Sequence, residues 1–282
     1  MAVERIISSS LNPEIKAVKP EKLRRWLTEI EERWKEIPEF ELPQGVLDSL
    51  TIICDGNRRA AQEKDLSPYF GHRAGVEVIK GIARASRRWG IKHLTFWTWS
   101  TENWKREKEQ IKYVMGLVTN ILAGPDFKNE LIENEVRFVH LGRKNRLPPR
   151  VIGVLGDLEK ETANFDRYWL NLAMDYGGLD ETARATAEIS RQVKTGLLTP
   201  EEIEKNPSIL LGFLDTRGQP TPDLIIRTGT KKGEIPHTSG LMPLQSAYAC
   251  WDYVPYLFPD LAPNQLLKSI ESFVEYERRF GG

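Results

Sequence analysis

A chain of 282 residues with 40 Lys and Arg against 40 Asp and Glu carries no net formal charge, which excludes a global positive field of the kind that recruits nucleic acid and leaves any anion site to local grouping. Its two cysteines, Cys54 and Cys250, form neither a Cys-x-x-Cys pair nor a zinc spacing, so a disulfide scaffold and a structural zinc site are excluded and a reducing cytoplasm is the expected compartment. No run approaches the roughly 20 apolar residues of a membrane span, and the N-terminus has no basic segment leading into an apolar core.

Residues 1–45 read as an N-terminal helical extension. Leu23, Trp26, Leu27, Ile30 and Trp34 recur at helical spacing within Pro20–Ile37, with charges of both signs between them. That pattern predicts one amphipathic helix whose stripe docks on its own domain or, alternatively, on a partner or membrane surface. Residues 46–282 read as one domain. Its first strand is the run Leu50-Thr51-Ile52-Ile53-Cys54, β-branched and without polar alternation, as expected of a strand buried on both faces of a parallel sheet. Asp55, Gly56, Asn57, Arg58 and Arg59 follow at once. A carboxylate, an amide and two guanidiniums at a strand end, with Asn57 expected to cap the next helix, make a metal-capable acid beside anion-binding donors.

Helices over Val76–Arg88, Gln110–Leu122, Val151–Asn164 and Glu181–Gln192 then alternate with strands over His93–Trp99, Val136–Leu141, Trp169–Met174 and Leu224–Ile226. This order predicts an α/β fold, a mainly parallel central sheet flanked by helices. Val114, Met115, Leu117, Val118, Ile121 and Leu122 make one helix apolar over a wide arc, suited either to core packing or to the wall of an apolar substrate tunnel. Further anion-binding groups recur at strand ends and helix starts. They are Gly71-His72-Arg73, the stretch Ser100-Thr101-Glu102-Asn103-Trp104-Lys105-Arg106, Pro222–Thr228 with Arg227, and Arg278-Arg279-Phe280-Gly281-Gly282.

Taken in order with Tyr176-Gly177-Gly178 and Pro259-Asp260, these motifs resemble the cis-prenyltransferases typified by undecaprenyl diphosphate synthase over residues 50–282. The resemblance implies a homodimer that condenses isopentenyl diphosphate onto an allylic diphosphate with Mg²⁺, holding the growing chain in an apolar tunnel. By position, Asp55 resembles the metal-binding aspartate. Gly56, Asn57, Arg58 and Arg59 correspond to the loop at the allylic diphosphate, and His72 to the histidine touching it. Ser100, Thr101, Glu102, Asn103 and Arg106 resemble the loop that positions the reacting ends. Arg227, His237 and Ser239 correspond to the isopentenyl diphosphate pocket, and Arg279 and Gly281 to the element that reaches across the dimer. Asp55, Asn103 and His72 are the residues implied nearest the chemistry.

The chain departs from the family pattern at several points. Ala60 and Pro68 stand where an aromatic residue and an arginine are common. The segment after Thr228 is longer and reads Gly229-Thr230-Lys231-Lys232-Gly233; His237-Thr238-Ser239-Gly240 replaces an Arg-x-Ser-Asn; and Cys250 takes the place of a metal-binding glutamate. Asp252, two residues on, would share a strand face with Cys250 and is the expected substitute ligand, since Mg²⁺ prefers oxygen. Chain elongation is therefore the leading expectation. Same-fold chemistry joining two allylic diphosphates or cyclising one is the alternative, followed by a non-catalytic partner subunit. The expected place is the cytoplasm, with membrane contact through the product or the N-terminal helix.

Overall fold

The computed structural model describes residues 20–231 and 233–276. The described strands β1 (Ser49–Ile53), β2 (His93–Ser100), β3 (Val136–Leu141), β4 (Tyr168–Tyr176), β5 (Leu224–Arg227) and β6 (Cys250–Tyr253) form one sheet in the order β3-β4-β2-β1-β5-β6. Every neighbouring pair is parallel. The described helices are α1 (Pro20–Arg33), α2 (Asn57–Glu63), α3 (Tyr69–Arg88), α4 (Lys108–Leu122), α5 (Pro125–Glu133), α6 (Pro149–Glu161), α7 (Gly178–Lys194), α8 (Pro200–Lys205) and α9 (Pro263–Glu275).

All five residues of β1 are buried, as its unbroken apolar character demands. The chain passes from β1 to β2 on one side, and β5 later joins the other side, so the carboxyl ends of β2, β1 and β5 stand side by side. In open parallel sheets the crevice beyond such a reversal of strand order is where ligands bind.

Two features differ from the sequence expectation. First, α3 begins at Tyr69, so Gly71 and His72 lie inside the helix rather than ahead of it. Second, α5, α8 and α9 are additional elements; α9 is amphipathic and buries Leu266, Leu267, Ile270 and Phe273. As expected of its stripe, α1 docks on its own domain: Leu23, Trp26, Leu27, Ile30 and Trp34 share one core with Leu50 and Ile52 of β1. Trp34 fits against α3 because Gly81 has no side chain, and a Cβ there would lie 2.3 Å from the indole. The helix therefore spends its apolar stripe on its own domain and has none left to offer a membrane.

Candidate active site

The site starts where β1 stops. Thr228, fully buried just past β5, accepts the Asp55 N–H through Oγ1 at 3.0 Å and donates to Asp55 O at 2.8 Å, which fixes the backbone of the turn. Gly56 then adopts a φ of +99°, and a Cβ there would come within 2.8 Å of Leu257, so only glycine suits the corner. The Asp55 carboxylate lies between two guanidiniums. Oδ2 accepts from Arg227 Nη2 at 3.0 Å, whereas Oδ1 accepts from Gly56 N at 2.6 Å and sits 3.5 Å from Arg59 Nη2. Arg59 is itself anchored on Gly229 O at 2.7 Å.

Asn57 does not cap α2; Gly56 occupies the cap position, and the Asn57 amide instead donates to Cys54 O at 2.8 Å. Its other end explains the glycines of α3. A Cβ on Gly71 would lie 1.8 Å from Asn57 O, and one on Gly75 would lie 2.5 Å from Asn57 Oδ1. Two glycines one helical turn apart thus let the Asp55–Arg59 corner seat on the helix that carries His72. Asn57 Oδ1 is buried there with no hydrogen-bond partner among the described residues.

At the end of β2, the 3₁₀ turn Thr101–Lys105 is closed by Ser100 N donating to Asn103 Oδ1 at 3.0 Å. Arg106 leaves this turn to lie over the Trp99 ring, 5.2 Å from its centroid. Burial first, then Arg58, lowers its pKa to about 10, while Asp55 opposes the fall. His72 contributes no positive charge at neutral pH. Burial, then the charges of Arg106 and Arg58, push its imidazole down to about 3. It is therefore a neutral hydrogen-bonding group facing the Gln110 amide at 3.5 Å, and too weak a base to be the main proton acceptor.

Arg227 is the hub of the third side. Its Nη1 donates to Ser239 Oγ at 2.6 Å and to His237 O at 2.7 Å, and approaches His237 Nδ1 at 3.3 Å. Ser239 takes a φ of +53° in presenting its hydroxyl.

One open cleft is lined by Asp55, Asn57, His72, Ser100, Glu102, Asn103, Arg106, Arg227 and Ser239. It also includes Cys54, Trp97, Thr98 and Trp99, which the sequence reading left out; the aromatic crowding of His93–Trp99 is a signal for the last three alone. Gly56 and Arg59 shape the corner from behind, Thr101 packs on Gly177, Arg58 is exposed at the rim, and His237 lines the adjoining hollow. Asp252 is not brought to Asp55. It pairs with Ile226 on β6, two strands from β1, and lines neither the cleft nor that hollow. It does share its strand with Cys250 as expected, but in-register side chains leave the sheet perpendicular to it, on the face of Ile226 and Ile52, rather than toward the strand ends. Lys232, Arg279 and Gly281 lie outside the described residues.

The cleft opens into an apolar tunnel between the sheet and the pair α3 and α4. Gly75, Val76, Ile79, Val114, Leu117, Val118 and Ile121 form one wall, with Phe96, Phe138, Leu170 and Leu172 opposite, around a cavity of about 100 Å³. The wide apolar arc of α4 is this wall. A polar mouth with four arginines around Asp55 and Glu102, leading into hydrocarbon, suits a ligand with a polyanionic head and an apolar tail.

The donor set also bears on Mg²⁺. Asp55 is 40 % exposed toward the cleft, and no group of three His, Cys, Asp or Glu able to hold a metal occurs among the described residues. One open carboxylate fits a cation that takes one or two carboxylates plus substrate phosphates, and does not fit one that needs an all-protein cage.

Residues 53–281 match the family model described as putative undecaprenyl diphosphate synthase. An isoprenyl transferase of Thermotoga maritima is 38% identical over 244 residues, 86% of this chain and 98% of the relative. One from Agrobacterium fabrum is 35% identical over 83% of this chain and 92% of its own. Among solved structures, lavandulyl diphosphate synthase from Lavandula x intermedia, in complex with dimethylallyl diphosphate, superposes with a TM-score of 0.77 at 28% identity, covering 84% of this chain and 99% of that one. A probable undecaprenyl diphosphate synthase from Campylobacter jejuni gives 0.66 at 27% identity with the same coverage.

Proposed function

This chain belongs to the undecaprenyl diphosphate synthase family and is a prenyltransferase; from that premise we propose that it condenses isopentenyl diphosphate onto an allylic diphosphate, with Mg²⁺, as a homodimer. The observation that carries the proposal is Asp55, held between Arg59 and Arg227 at the mouth of an apolar tunnel.

Asp55 would hold Mg²⁺, which when bound neutralises charge on the diphosphate and eases its departure. Arg59, Arg106 and the amide of Asn57 would hold the allylic head at the cleft while its tail enters the tunnel. Their fixed dipoles and charges favour the departing diphosphate more than the intact ester, because charge accumulates on it as the C–O bond breaks. The tunnel wall excludes water from the allylic cation. Arg227 with Ser239 and His237 would seat the second diphosphate. The new C–C bond leaves one proton to be lost, and with His72 so weak a base the departing diphosphate is the better acceptor.

Leu179 and Tyr248 are 83% and 81% exposed, and Leu244 36%, on segments joined where Gly178 N meets Gly240 O at 3.1 Å. This apolar surface supports the homodimer reading, and the Arg279–Gly281 end would complete the second-diphosphate site of the partner copy. Deleting 279–282 should then raise KM for isopentenyl diphosphate more than for the allylic substrate. No described helix is long and apolar enough to cross a membrane, so a cytoplasmic enzyme would meet the bilayer through its product.

The test is to incubate the protein with Mg²⁺, labelled isopentenyl diphosphate and separate allylic starters, and to size the products. The lengthened segment ending at His237 and Ser239 favours one second reading, the joining of two allylic diphosphates. Product from dimethylallyl diphosphate alone would establish it; products growing by five carbons with isopentenyl diphosphate would reject it.

A further inference from the structure

We propose that Asp175 is the positioning residue for the arm of the cleft that carries Asn103 and Arg106, and that it acts through Trp104. Asp175 is the penultimate residue of β4, fully buried, with a φ of +52°, a left-handed conformation that a residue with a side chain keeps only when its surroundings impose it. Its Oδ1 accepts from Trp104 Nε1 at 2.7 Å and from Arg146 Nη2 at 2.6 Å, and its Oδ2 from Arg146 Nε at 2.8 Å. The main chain is gripped as well. Asp175 O accepts from Arg143 N at 3.1 Å, and a Cβ on Gly142 would fall 2.8 Å from that oxygen and 2.4 Å from Met174 O. The segment after β3 is thus shaped around this one acid.

What the acid holds reaches the cleft in one step. The Trp104 indole stands edge-on to Trp99, centroids 5.7 Å apart at 74°, and Arg106 lies over that same Trp99 ring. Trp99 lines both cleft and tunnel. Within the 101–105 turn, the bonds from Ser100 N to Asn103 Oδ1 and from Arg106 N to Asn103 O set its shape. They do not set where the turn sits on the sheet; the Trp104–Asp175 bond does. A fully buried carboxylate is unfavourable unless paired, and an apolar side chain would fill the same space at lower free energy. The charge is explained if its task is to select one Trp104 orientation, with Arg146 as the counter-ion that makes the charge tolerable.

The experiment compares the full-length wild type with Trp104→Phe, Asp175→Asn, Asp175→Ala and the Trp104→Phe/Asp175→Ala double variant. Amide hydrogen exchange across 101–106, kcat and KM for each substrate, and the unfolding temperature are read for all. Trp104→Phe keeps an aromatic side chain, smaller than the indole, and loses the donor. It should speed exchange in 101–106 and lower kcat/KM about ten- to a hundredfold, the effect of one hydrogen bond to a charged group, with a fall in unfolding temperature of roughly a few degrees. Asp175→Asn keeps an oxygen for Trp104 and should recover part of the loss seen in Asp175→Ala, and Trp104→Phe should add little once Asp175 is alanine. Unchanged exchange and kinetics in Trp104→Phe, or additive effects in the double variant, would overturn the proposal. If Asp175→Ala does not fold, Trp104→Phe and Asp175→Asn decide alone. The kinetic arm rests on the prenyl-transfer reading and the exchange arm does not, so a wild type without transfer activity would count against that reading while exchange still judged the role of Asp175.

Discussion

Replacing Gly75 with alanine should separate the stability of the fold from the working of its cleft. Within a helix, Gly→Ala is worth about 1 kcal/mol in favour of folding. Here the new methyl would lie 2.5 Å from Asn57 Oδ1, closer than that atom tolerates, and 3.2 Å from Phe258 Cδ1, which need give only a few tenths of an ångström. The Asn57 side chain must turn, breaking its 2.8 Å bond to Cys54 O. Losing a buried hydrogen bond costs about 1–3 kcal/mol. The two effects largely offset one another, leaving a net loss of about 0–2 kcal/mol and a fall in unfolding temperature of roughly a few degrees. Catalysis has no such offset. Asn57 and Phe258 both line the tunnel, at the point where the proposed reading puts the junction of diphosphate and hydrocarbon, and displacement of about 1 Å at such a point can cost up to about a hundredfold in rate. Calorimetry and prenyl-transfer kinetics, run beside Gly116→Ala, test this. Gly116 is exposed on α4, where a Cβ meets nothing within 4 Å, so that control should gain about 0.5–1 kcal/mol with unaltered kinetics. A Gly75→Ala enzyme with wild-type kcat/KM would refute the reasoning.

Asp55→Ala should lower kcat by at least about 10²–10³ while the protein stays folded, the loss seen when one preorganised charge-stabilising group is removed; near-normal Mg²⁺-dependent turnover would reject its role. His72 has a folded pKa near 3 against an ordinary 6.5, so the unfolded chain binds the proton first. Stability is therefore complete above about 6.5 and falls toward pH 3, by up to about 1.4 kcal/mol per pH unit. Urea unfolding of His72→Gln should show a shallower pH dependence than wild type over pH 4–7, and parallel curves would contradict this. Trp34→Ala should destabilise by about 3–5 kcal/mol without altering kcat per folded molecule; unchanged denaturation midpoints would mean that α1 is not part of the core. For Asp252→Asn, placed two strands from Asp55, the Mg²⁺ titration of activity should overlay the wild type, and a raised Mg²⁺ requirement would restore it as a ligand.

Periodicity and strand-end chemistry were enough to reach much of this protein. The unbroken apolar run at residues 50–54 fits a two-sided parallel sheet, and an acid with arginines at its end, with further arginines after two other strands, announces an anion cleft. Both follow from short-range pattern, because burial on two faces and the side-chain alternation of a strand are written into consecutive residues. Other facts depend on pairs distant in sequence. Gly75 reads as a helix-weakening residue until Asn57, 18 positions earlier, is seen against it. His72 reads as a member of an anion-binding group, and only burial beside Arg106 and Arg58 shows that it meets its ligand neutral. Asp252 reads as a spare ligand until the order β1-β5-β6 sets it two strands from Asp55. Asp175, quoted in no motif, gains its role from Trp104 and Arg146, 71 and 29 positions away. Desolvation, steric approach and lateral strand order are properties of the assembled sheet, and no local window of the chain contains them.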